Sequence, residues 1–527
     1  MADQAHEADV LVVGGGLAGG WAATAAARAG AAVTVVEKGY FGTSGVTATA
    51  GPSHWWIPPD PPEARERAIA ERNQRAFGLA DPRWMARILD TTWRTLPTLA
   101  PHYAFSVDDA GRTQYRGLRG PEYLRALRRQ AEQLGVTILD HHPTLELLLH
   151  RDGSVAGARG VRRATGETWT LRAGAVILAT GGCAFASHLL GAANNTGDGL
   201  LMGVEAGADL SGMEFTNYYT VAPAGTNMTR SMAYSFARYF GEDGRELDIQ
   251  PGPDSNKRLA EALLAGRVFC SLDRVPQDIR TQMPHVQPNF VTPFERRGVD
   301  PYADRFEVTL RAEGTVRGIG GLRVVDDACQ TRVPGLFAAG DVATRELIAG
   351  ATSGGGNQNS AWALSSGQWA GQAAADLARR RGRLATAITY GAGHAGFAAS
   401  RETRPGELEA VTALVRREMG DLDRNMFRRG PALQRAVSDL DGAYADLALL
   451  GQRRGLAAVR LRETLAMVAA ARWSKASALA RTESRGMHQR LDAPAADPTL
   501  AARQRAGGLD KVWTSFETHP QMLEAAL

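Results

Sequence analysis

A glycine-rich turn near the start of the chain is the first pattern whose residue types could do chemistry. Residues 14–19 read GGGLAG, a match to GxGxxG, and Glu37 follows Gly14 by 23 residues. The first glycine permits a tight turn, the second lets the backbone approach a pyrophosphate, and the third allows close helix packing. Glu37 is placed to accept hydrogen bonds from a ribose 2′-hydroxyl, which argues against a 2′-phosphate. The spacing predicts a dinucleotide site, the alternative being a turn that serves only packing.

Later segments distinguish FAD from NAD. They are GTSG at 42–45, TGG at 180–182, NTGDG at 195–199 and FAAGD at 337–341. With them the chain resembles the fumarate reductase and succinate dehydrogenase flavoprotein superfamily, which also includes aspartate oxidase and the flavoprotein subunit of adenylylsulfate reductase. The resemblance covers nearly the whole chain and extends to MEF at 213–215, VPGLF at 333–337 and ESRGMH at 483–488. It implies FAD as the cofactor.

The resemblance also implies roles for individual residues around the cofactor. Residues 43–45 would wrap the flavin side of the pyrophosphate, Thr180 and Gly181 would pass the adenine half, and Asp341 would bind the ribityl hydroxyls. Amides that open a helix at 357–360 would face the flavin C2 carbonyl and stabilise the charge of the reduced ring. The complete set of predicted cofactor-binding residues is Gly14, Gly16, Leu17, Ala18, Gly19, Glu37, Lys38, Thr43, Ser44, Gly45, Thr47, Ala179, Thr180, Gly181, Asp198, Gly340, Asp341, Asn357, Asn359 and Ser360.

The chain departs from the family pattern at the positions that define the substrate. Members with covalently attached FAD carry a histidine where this chain has Gly45, so we expect noncovalent FAD. Tyr219 replaces the histidine of the family's FHP element, and Val316 replaces that of HYTMGG. The arginine of GANRLGGN is absent from GATSGGGN at 350–357, where the serine-rich stretch around Ser353 is closer to adenylylsulfate reductase. A buried dicarboxylate would lack partners there, so succinate, fumarate and aspartate are predicted to be poor substrates.

Candidate catalytic residues come from the same resemblance. Arg258 is the nearest match, one residue out of register, to the family's proton-donating arginine in the capping domain. Tyr219 could donate or accept a proton, or could be a core tyrosine. Arg317 and Arg345 flank the aligned site and could bind an anion through forked hydrogen bonds, or could be surface arginines. The sequence HWW at 54–56 could wall an apolar substrate pocket, or could be ordinary packing.

The elements that must position these residues follow from hydrophobic periodicity. Residues 9–13, 21–29 and 32–36 predict strand, helix and strand, and residues 173–179 predict a further buried strand. A hairpin and a core strand are predicted between 320 and 339, followed by a helix over 359–378 with small inner residues. Amphipathic helices are predicted at 84–99, 407–419, 432–449 and 456–481.

These elements predict an α/β protein of three domains, as expected for 527 residues. A Rossmann-like FAD-binding domain is predicted from 1–212 and 313–378. An α+β capping domain over 213–312 is inserted into it, because that segment is rich in Tyr, Phe, Pro and Met with weak periodicity. A helical C-terminal domain is predicted over 379–527.

Composition limits the classes of partner. The formal charge is only +4, so no nucleic-acid partner is expected. The three cysteines lack CxxC spacing, which argues against a metal site and fits a reducing compartment. The N-terminus lacks signal-peptide features and no apolar run reaches 18 residues, so we expect a cytoplasmic protein without a membrane segment.

The expected function is hydride transfer between the flavin N5 and a small organic substrate that is not a dicarboxylate. Oxygen or an electron-transfer partner would be the electron acceptor. Two alternatives remain: a flavin-dependent amine or imino-acid oxidase, and an electron-transferring flavoprotein subunit of a larger complex whose substrate site has decayed.

Overall fold

The computed structural model describes residues 5–228, 231–252, 254–381, 388–397, 401, 403–451 and 455–517. The strands are β1 (Ala5–Val13), β2 (Val33–Val36), β3 (Ser106–Val107), β4 (Thr113–Gln114), β5 (Thr137–Leu139), β6 (Thr144–His150), β7 (Val155–Val161), β8 (Thr168–Leu178), β9 (Leu210–Ser211), β10 (Tyr219–Pro223), β11 (Arg238–Phe240), β12 (Glu246–Leu247), β13 (Val268–Ser271), β14 (Phe306–Ala312), β15 (Gly321–Leu322), β16 (Leu336–Ala338), β17 (Thr389–Gly391), β18 (Gln504–Gly507) and β19 (Trp513–Phe516). The helices are α1 (Leu17–Arg28), α2 (Glu63–Gln74), α3 (Pro82–Thr95), α4 (Gly120–Gln133), α5 (Asp198–Glu205), α6 (Ser255–Ala265), α7 (Gln277–Val286), α8 (Pro288–Glu295), α9 (Gly314–Arg317), α10 (Glu346–Ala349), α11 (Gly355–Arg381), α12 (Glu407–Gly420), α13 (Gly430–Ala448) and α14 (Gly455–Ala480).

The largest sheet carries the predicted βαβ unit. Its order is β17-β6-β7-β8-β1-β2-β5, and β16 also pairs with β8. β1 is parallel to both β2 and β8, and α1 is the crossover helix between β1 and β2. α1 packs on α11, where a Cβ on Gly367 or Gly371 would meet the carbonyl oxygen of Ala18 or Ala22 at 2.6 or 2.3 Å. This close approach explains the small residues on the inner face of α11.

A second, antiparallel sheet forms a separate layer from the middle of the chain. Its order is β10-β14-β13-β11-β12, and α6, α7 and α8 lie in the same stretch of sequence. β14 alternates buried and partly exposed residues, the period of a strand with one face on a core. That core is distinct from the one under the large sheet and includes Phe290, Phe294 and Phe306. We refer to residues 219–312 as the cap.

Of the hairpin and core strand predicted between residues 320 and 339, the structure has the core strand as β16, but β15 does not form a hairpin strand. β15 pairs with β9 in a four-stranded sheet of order β15-β9-β18-β19, while β16 joins β8 in the large sheet. Local alternation cannot reveal that two neighbouring strands find partners in different sheets. Periodicity also does not predict β18 and β19, which follow the helices of the C-terminal segment.

The ESRGMH segment ties the C-terminal helices to the rest of the molecule. Arg481 donates to Glu214 at 2.8 Å and to Glu483 at 2.9 Å, and all three side chains are fully buried. Arg485 donates to Glu483 at 2.7 Å. His488 is buried against Arg428, with Nδ1 2.7 Å from that guanidinium. The segment is therefore a buried ion-pair network that joins MEF at 213–215 to the end of α14.

Candidate active site

One long cavity runs from the glycine turn to the cap. Its volume is about 1210 Å³, and its lining includes Gly14 and Glu37 at one end and Tyr234 and Ile249 of the cap at the other. Pockets for a single drug-sized ligand are typically about 300–1,000 Å³. The cavity therefore has room for a large cofactor together with a second, smaller molecule.

The glycine turn has the geometry that its sequence predicts. Gly14 has φ +105°, and a Cβ there would meet the Ala179 carbonyl oxygen at 2.5 Å. A Cβ on Gly19 would meet the Gly14 carbonyl oxygen at 1.8 Å, so this position packs α1 against the turn. A Cβ on Gly16, which caps the N-terminus of α1, would meet nothing within 4 Å and would project into open space. The first amides of α1 are thus exposed to a ligand in the cavity.

Glu37 is fixed at the end of β2 by backbone donors. Its carboxylate accepts from the Gly15 N–H at 2.6 Å and from the Gly39 N–H at 2.7 Å. A carboxylate has about four lone-pair positions, so acceptors remain for ribose hydroxyls. The residue lines the cavity, as the predicted ribose contact requires.

Lys38 and Asp198 form an ion pair with each other at the cavity wall. Lys38 Nζ lies 2.8 Å from Asp198 Oδ2, 2.8 Å from Thr196 Oγ1 and 3.1 Å from Glu463 Oε1. Burial opposes the charged form of Lys38, but the two carboxylates outweigh it, so the pKa of this lysine is raised. The pair joins β2, α5 and α14 beside the predicted adenine end.

Most of the predicted cofactor residues lie on the cavity wall. Those on the wall are Gly14, Gly16, Leu17, Ala18, Glu37, Lys38, Ser44, Gly45, Thr47, Ala179, Thr180, Gly181, Asp198, Gly340, Asp341, Asn359 and Ser360. Gly19, Thr43 and Asn357 are not part of it: Gly19 packs against Gly14, and the Thr43 hydroxyl lies 3.5 Å from the Tyr40 carbonyl. Asn359 Oδ1 is buried without a partner among the described residues, which leaves a buried acceptor for a ligand.

Arg345 does not reach the cavity. Its guanidinium is fully buried and donates to Asp341, to the Thr315 carbonyl at 2.5 Å and to the Gly318 carbonyl. Burial is the main reason why its pKa is lowered. The anion-binding role considered for Arg345 is not supported, because its donors bond to Asp341 and to the backbone of the α9 segment behind the cavity wall.

Arg258 also lies outside the cavity wall. Its side chain is 52% exposed, and its guanidinium donates to the Asp248 carbonyl at 3.1 Å. The preceding residues Asn256 and Lys257 do line the cavity, so α6 turns Arg258 away from it. This geometry does not support Arg258 as the proton donor.

Tyr219 lies at the start of β10, lines the cavity and packs in the core of the cap. The side chain is 1% exposed, and its hydroxyl has no hydrogen-bond partner among the described residues. Burial raises the pKa of the phenol, and the side chain of Asn425 opposes the shift. Tyr219 therefore belongs to the core of the cap at the edge of the cavity, and its hydroxyl is protonated.

Arg317, the last residue of α9, lines the cavity beside the first turn of α11. Its Nη1 lies 3.3 Å from the Tyr218 hydroxyl, and its Nε is 3.9 Å from Glu313 Oε2. A Cβ on Gly356 would lie 3.5 Å from Nη2. Burial disfavours the charged form, but Glu313 and then Tyr218 outweigh it, so the pKa is raised. Arg317 is a permanent cation at the cavity wall.

Sequence reasoning missed Arg72. This residue of α2 lines the cavity and donates to Asn357 Oδ1 at 3.3 Å, next to the Ser353 region where the family arginine is absent. Burial is the main cause of its lowered pKa, followed by the neighbouring Arg75. α2 is mostly polar in sequence and none of its residues is fully buried, so only the tertiary structure reveals this arginine.

The HWW segment belongs to the core rather than to the cavity wall. His54 is fully buried with Nε2 3.2 Å from the Tyr123 hydroxyl, and burial lowers its pKa to about 3. Trp56 stacks against Trp93 at a centroid distance of 4.4 Å. The packing alternative is therefore the one that the geometry favours, since the cavity lining includes Ser53 but none of residues 54–56.

The described part of the chain contains neither a cluster of metal ligands nor a membrane-spanning helix. No group of three or more His, Cys, Asp or Glu residues there has an arrangement suited to a metal ion. No described helix combines the length and hydropathy that a membrane span needs.

Known proteins match both the sequence and the fold. Family models described as "FAD dependent oxidoreductase", "FAD binding domain" and "Fumarate reductase flavoprotein C-term" match residues 9–116, 71–234 and 416–513. L-aspartate oxidase of Mycobacterium tuberculosis is 30% identical over 95% of this chain and 96% of its own length. One subunit of the fumarate reductase (CoM/CoB) of Methanothermobacter marburgensis is 24% identical over 94% and 96%. Among solved structures, E. coli quinol fumarate reductase has a TM-score of 0.81 at 21% identity, covering 98% of this chain and 97% of that one.

Fold, glycine turn and cavity together define an FAD-dependent oxidoreductase. The chain belongs to the fumarate reductase and succinate dehydrogenase flavoprotein superfamily. These findings confirm the predicted fold class, an α/β Rossmann-like domain with capping and helical domains, and FAD as the cofactor. Adenylylsulfate reductase of Archaeoglobus fulgidus shares the fold, with a TM-score of 0.77 at 18% identity and 98% and 96% coverage.

Proposed function

We propose that this enzyme binds FAD noncovalently and oxidises or reduces a small organic molecule that is not a dicarboxylate. When bound, FAD supplies a hydride acceptor or donor at N5. The observation that carries the proposal is the cavity, because it joins the dinucleotide turn to a cap end where the family's dicarboxylate anchors are replaced by Tyr219, Val316 and Ser353.

The residues around the turn fit the cofactor. The α1 amides next to Gly16 would bind the pyrophosphate, because this helix N-terminus has no Cβ in the way. Glu37 would accept from the adenosine ribose, and the buried Asn359 Oδ1 would accept an N–H of the flavin. Gly45 lines the cavity without a side chain that could bond covalently to the ring.

The cap end supports a substrate other than succinate or fumarate. Tyr219 occupies the position of a lost histidine, and the Val316 side chain is apolar and 3% exposed. A second carboxylate placed against these residues would lose its hydration without gaining a cationic partner. We propose Tyr219 as the proton donor or acceptor, since the residue lines the cavity and its buried hydroxyl has no partner among the described residues.

An amine or imino-acid oxidase is the second candidate. The 30% identity with L-aspartate oxidases over 95% of the chain favours it. In that case oxygen would be the electron acceptor, whereas a dehydrogenase or reductase would use a redox partner. A cytoplasmic location is part of the proposal and agrees with three free, buried cysteines.

The test uses the purified yellow protein. Acid precipitation should release the flavin into the supernatant, and anaerobic mixing with a panel of amines, alkanoates and alkenoates should change the flavin absorbance. Peroxide formed with an amine would favour the oxidase, and transfer to an artificial acceptor would favour the dehydrogenase. A flavin that stays with the precipitated protein would exclude noncovalent attachment, and reaction with succinate or fumarate alone would contradict the substrate proposal.

A further inference from the structure

The cap end of the cavity has one wall of tyrosines. Tyr218, Tyr219, Tyr234 and Tyr239 all line it, and we call these four residues the tyrosine wall. The hydroxyls of Tyr219 and Tyr234 are buried without partners among the described residues. Aromatic side chains at this end of the cavity favour an apolar or aromatic ligand.

Arg317 places a cation next to this wall. Among the described residues that line the cavity, Lys38 and Arg317 are both cations with little exposure, 13% and 22%. Lys38 is held by Asp198 and Glu463 at the other end of the cavity. Arg317 keeps most of its five N–H donors for a ligand, because it contacts Tyr218 at 3.3 Å and a more distant Glu313 carboxylate at 3.9 Å.

Charge at the cavity mouth is weaker. Lys257 and Arg75 line the cavity but are exposed, so water screens them. Arg72 is half-buried and already donates to Asn357. A second anionic group deep under the cap would therefore face tyrosine, Met426 and Ile249 rather than a cation.

We infer that the substrate is a monocarboxylate with an aromatic or similarly bulky apolar body, bound by Arg317 through its carboxylate and by the tyrosine wall through its body. A guanidinium matches a planar carboxylate with two parallel hydrogen bonds. Rings of the wall bury the body and exclude water from it. This inference rests on the proposed function and narrows its substrate class.

Binding to the FAD-loaded protein tests the inference. The probes are 3-phenylpropanoate, its neutral amide 3-phenylpropanamide, and succinate, measured by perturbation of the flavin absorbance and by calorimetry. We expect the aromatic acid to bind at least about tenfold more tightly than both the amide and succinate, a difference of about 1.4 kcal/mol. The inference is overturned if the wild-type protein binds 3-phenylpropanoate and its amide equally, or if it binds succinate more tightly than 3-phenylpropanoate.

Variants then assign the preference to residues. Arg317→Gln should abolish the difference between acid and amide, and Arg317→Lys should restore part of it. Tyr234→Ala should weaken 3-phenylpropanoate more than propanoate, because only the former has a ring to contact the wall. Arg267→Gln, an exposed cap arginine paired with Glu307, is the matched control and should change none of these ratios. An unchanged acid preference in Arg317→Gln that still holds FAD overturns the role of Arg317.

Failure of the inference is distinguishable from failure of the proposed function. Loss of the proposed function appears as a protein that holds no FAD or whose flavin no organic compound reduces or reoxidises. If only the inference is wrong, the flavin still reacts, but the protein binds amides or dicarboxylates no less tightly than aromatic acids.

Discussion

Replacing Gly16 by alanine is expected to separate cofactor binding from folding. Gly16 has φ −76° and ψ −164°, an extended conformation that alanine adopts without strain. Its added Cβ would meet no atom of the protein within 4 Å. In the absence of FAD, Gly16→Ala should therefore change stability by less than about 1 kcal/mol, because the lost freedom of the unfolded chain and the poorer N-cap of α1 oppose each other.

The same methyl group should disturb a pyrophosphate bound on α1. Amide-to-oxygen hydrogen bonds need a distance of about 2.9 Å, and a methyl beside those amides prevents that approach. The loss of one or two hydrogen bonds to a charged group costs about 1.5–3 kcal/mol each. We expect a loss of about 3 kcal/mol, equivalent to about a 150-fold weaker FAD affinity.

Thermal unfolding in a titration with FAD measures both quantities in one experiment. Gly19→Ala is the contrasting variant, since its Cβ would lie 1.8 Å from the Gly14 carbonyl oxygen and must displace backbone. It should unfold at a lower temperature with or without FAD. If Gly16→Ala binds FAD within about twofold of the wild-type affinity, a difference of only about 0.4 kcal/mol, the pyrophosphate does not sit over this helix N-terminus and the reasoning fails.

Further predictions concern buried groups away from the cavity. Burial lowers the pKa of Lys475 from 10.5 to about 7, so the unfolded chain binds more protons between these values and stability rises with pH. The stability advantage of Lys475→Met should shrink by about 2.5 kcal/mol between about pH 6 and pH 9 in urea unfolding, and a constant difference would contradict the shifted pKa. Arg481→Met leaves the buried carboxylate of Glu214 without its ion-pair partner and should cost about 3–5 kcal/mol in the same assay, whereas Arg267→Met at the surface should leave the midpoint unchanged. Burial raises the pKa of the Cys183 thiol to about 12, and all three cysteines are buried, so an aromatic disulfide reagent should modify them only after denaturation.

The βαβ unit and its cofactor could be predicted from the sequence because their requirements are local. A tight turn requires glycine at Gly14, and a close backbone contact requires it at Gly19, within the six-residue motif. Glu37, at the end of the adjacent strand, accepts a hydrogen bond from the Gly15 N–H. Such contacts leave a fixed spacing in the sequence. The order of several spaced motifs then identified the family.

The substrate end depended on contacts between distant segments. Three candidate arginines cannot be told apart in the sequence but differ in the structure. Arg258 is exposed, Arg317 lines the cavity, and Arg345 is buried behind the cavity wall. Arg72 reaches Asn357 across 285 positions, so no local pattern marks it. Spacing along the chain determined how the protein holds a dinucleotide, and the placement of the cap, α2 and α11 around one cavity decided which side chains can meet a substrate. The direction of a side chain depends on which face of its helix or strand is buried, and only the tertiary structure determines that face.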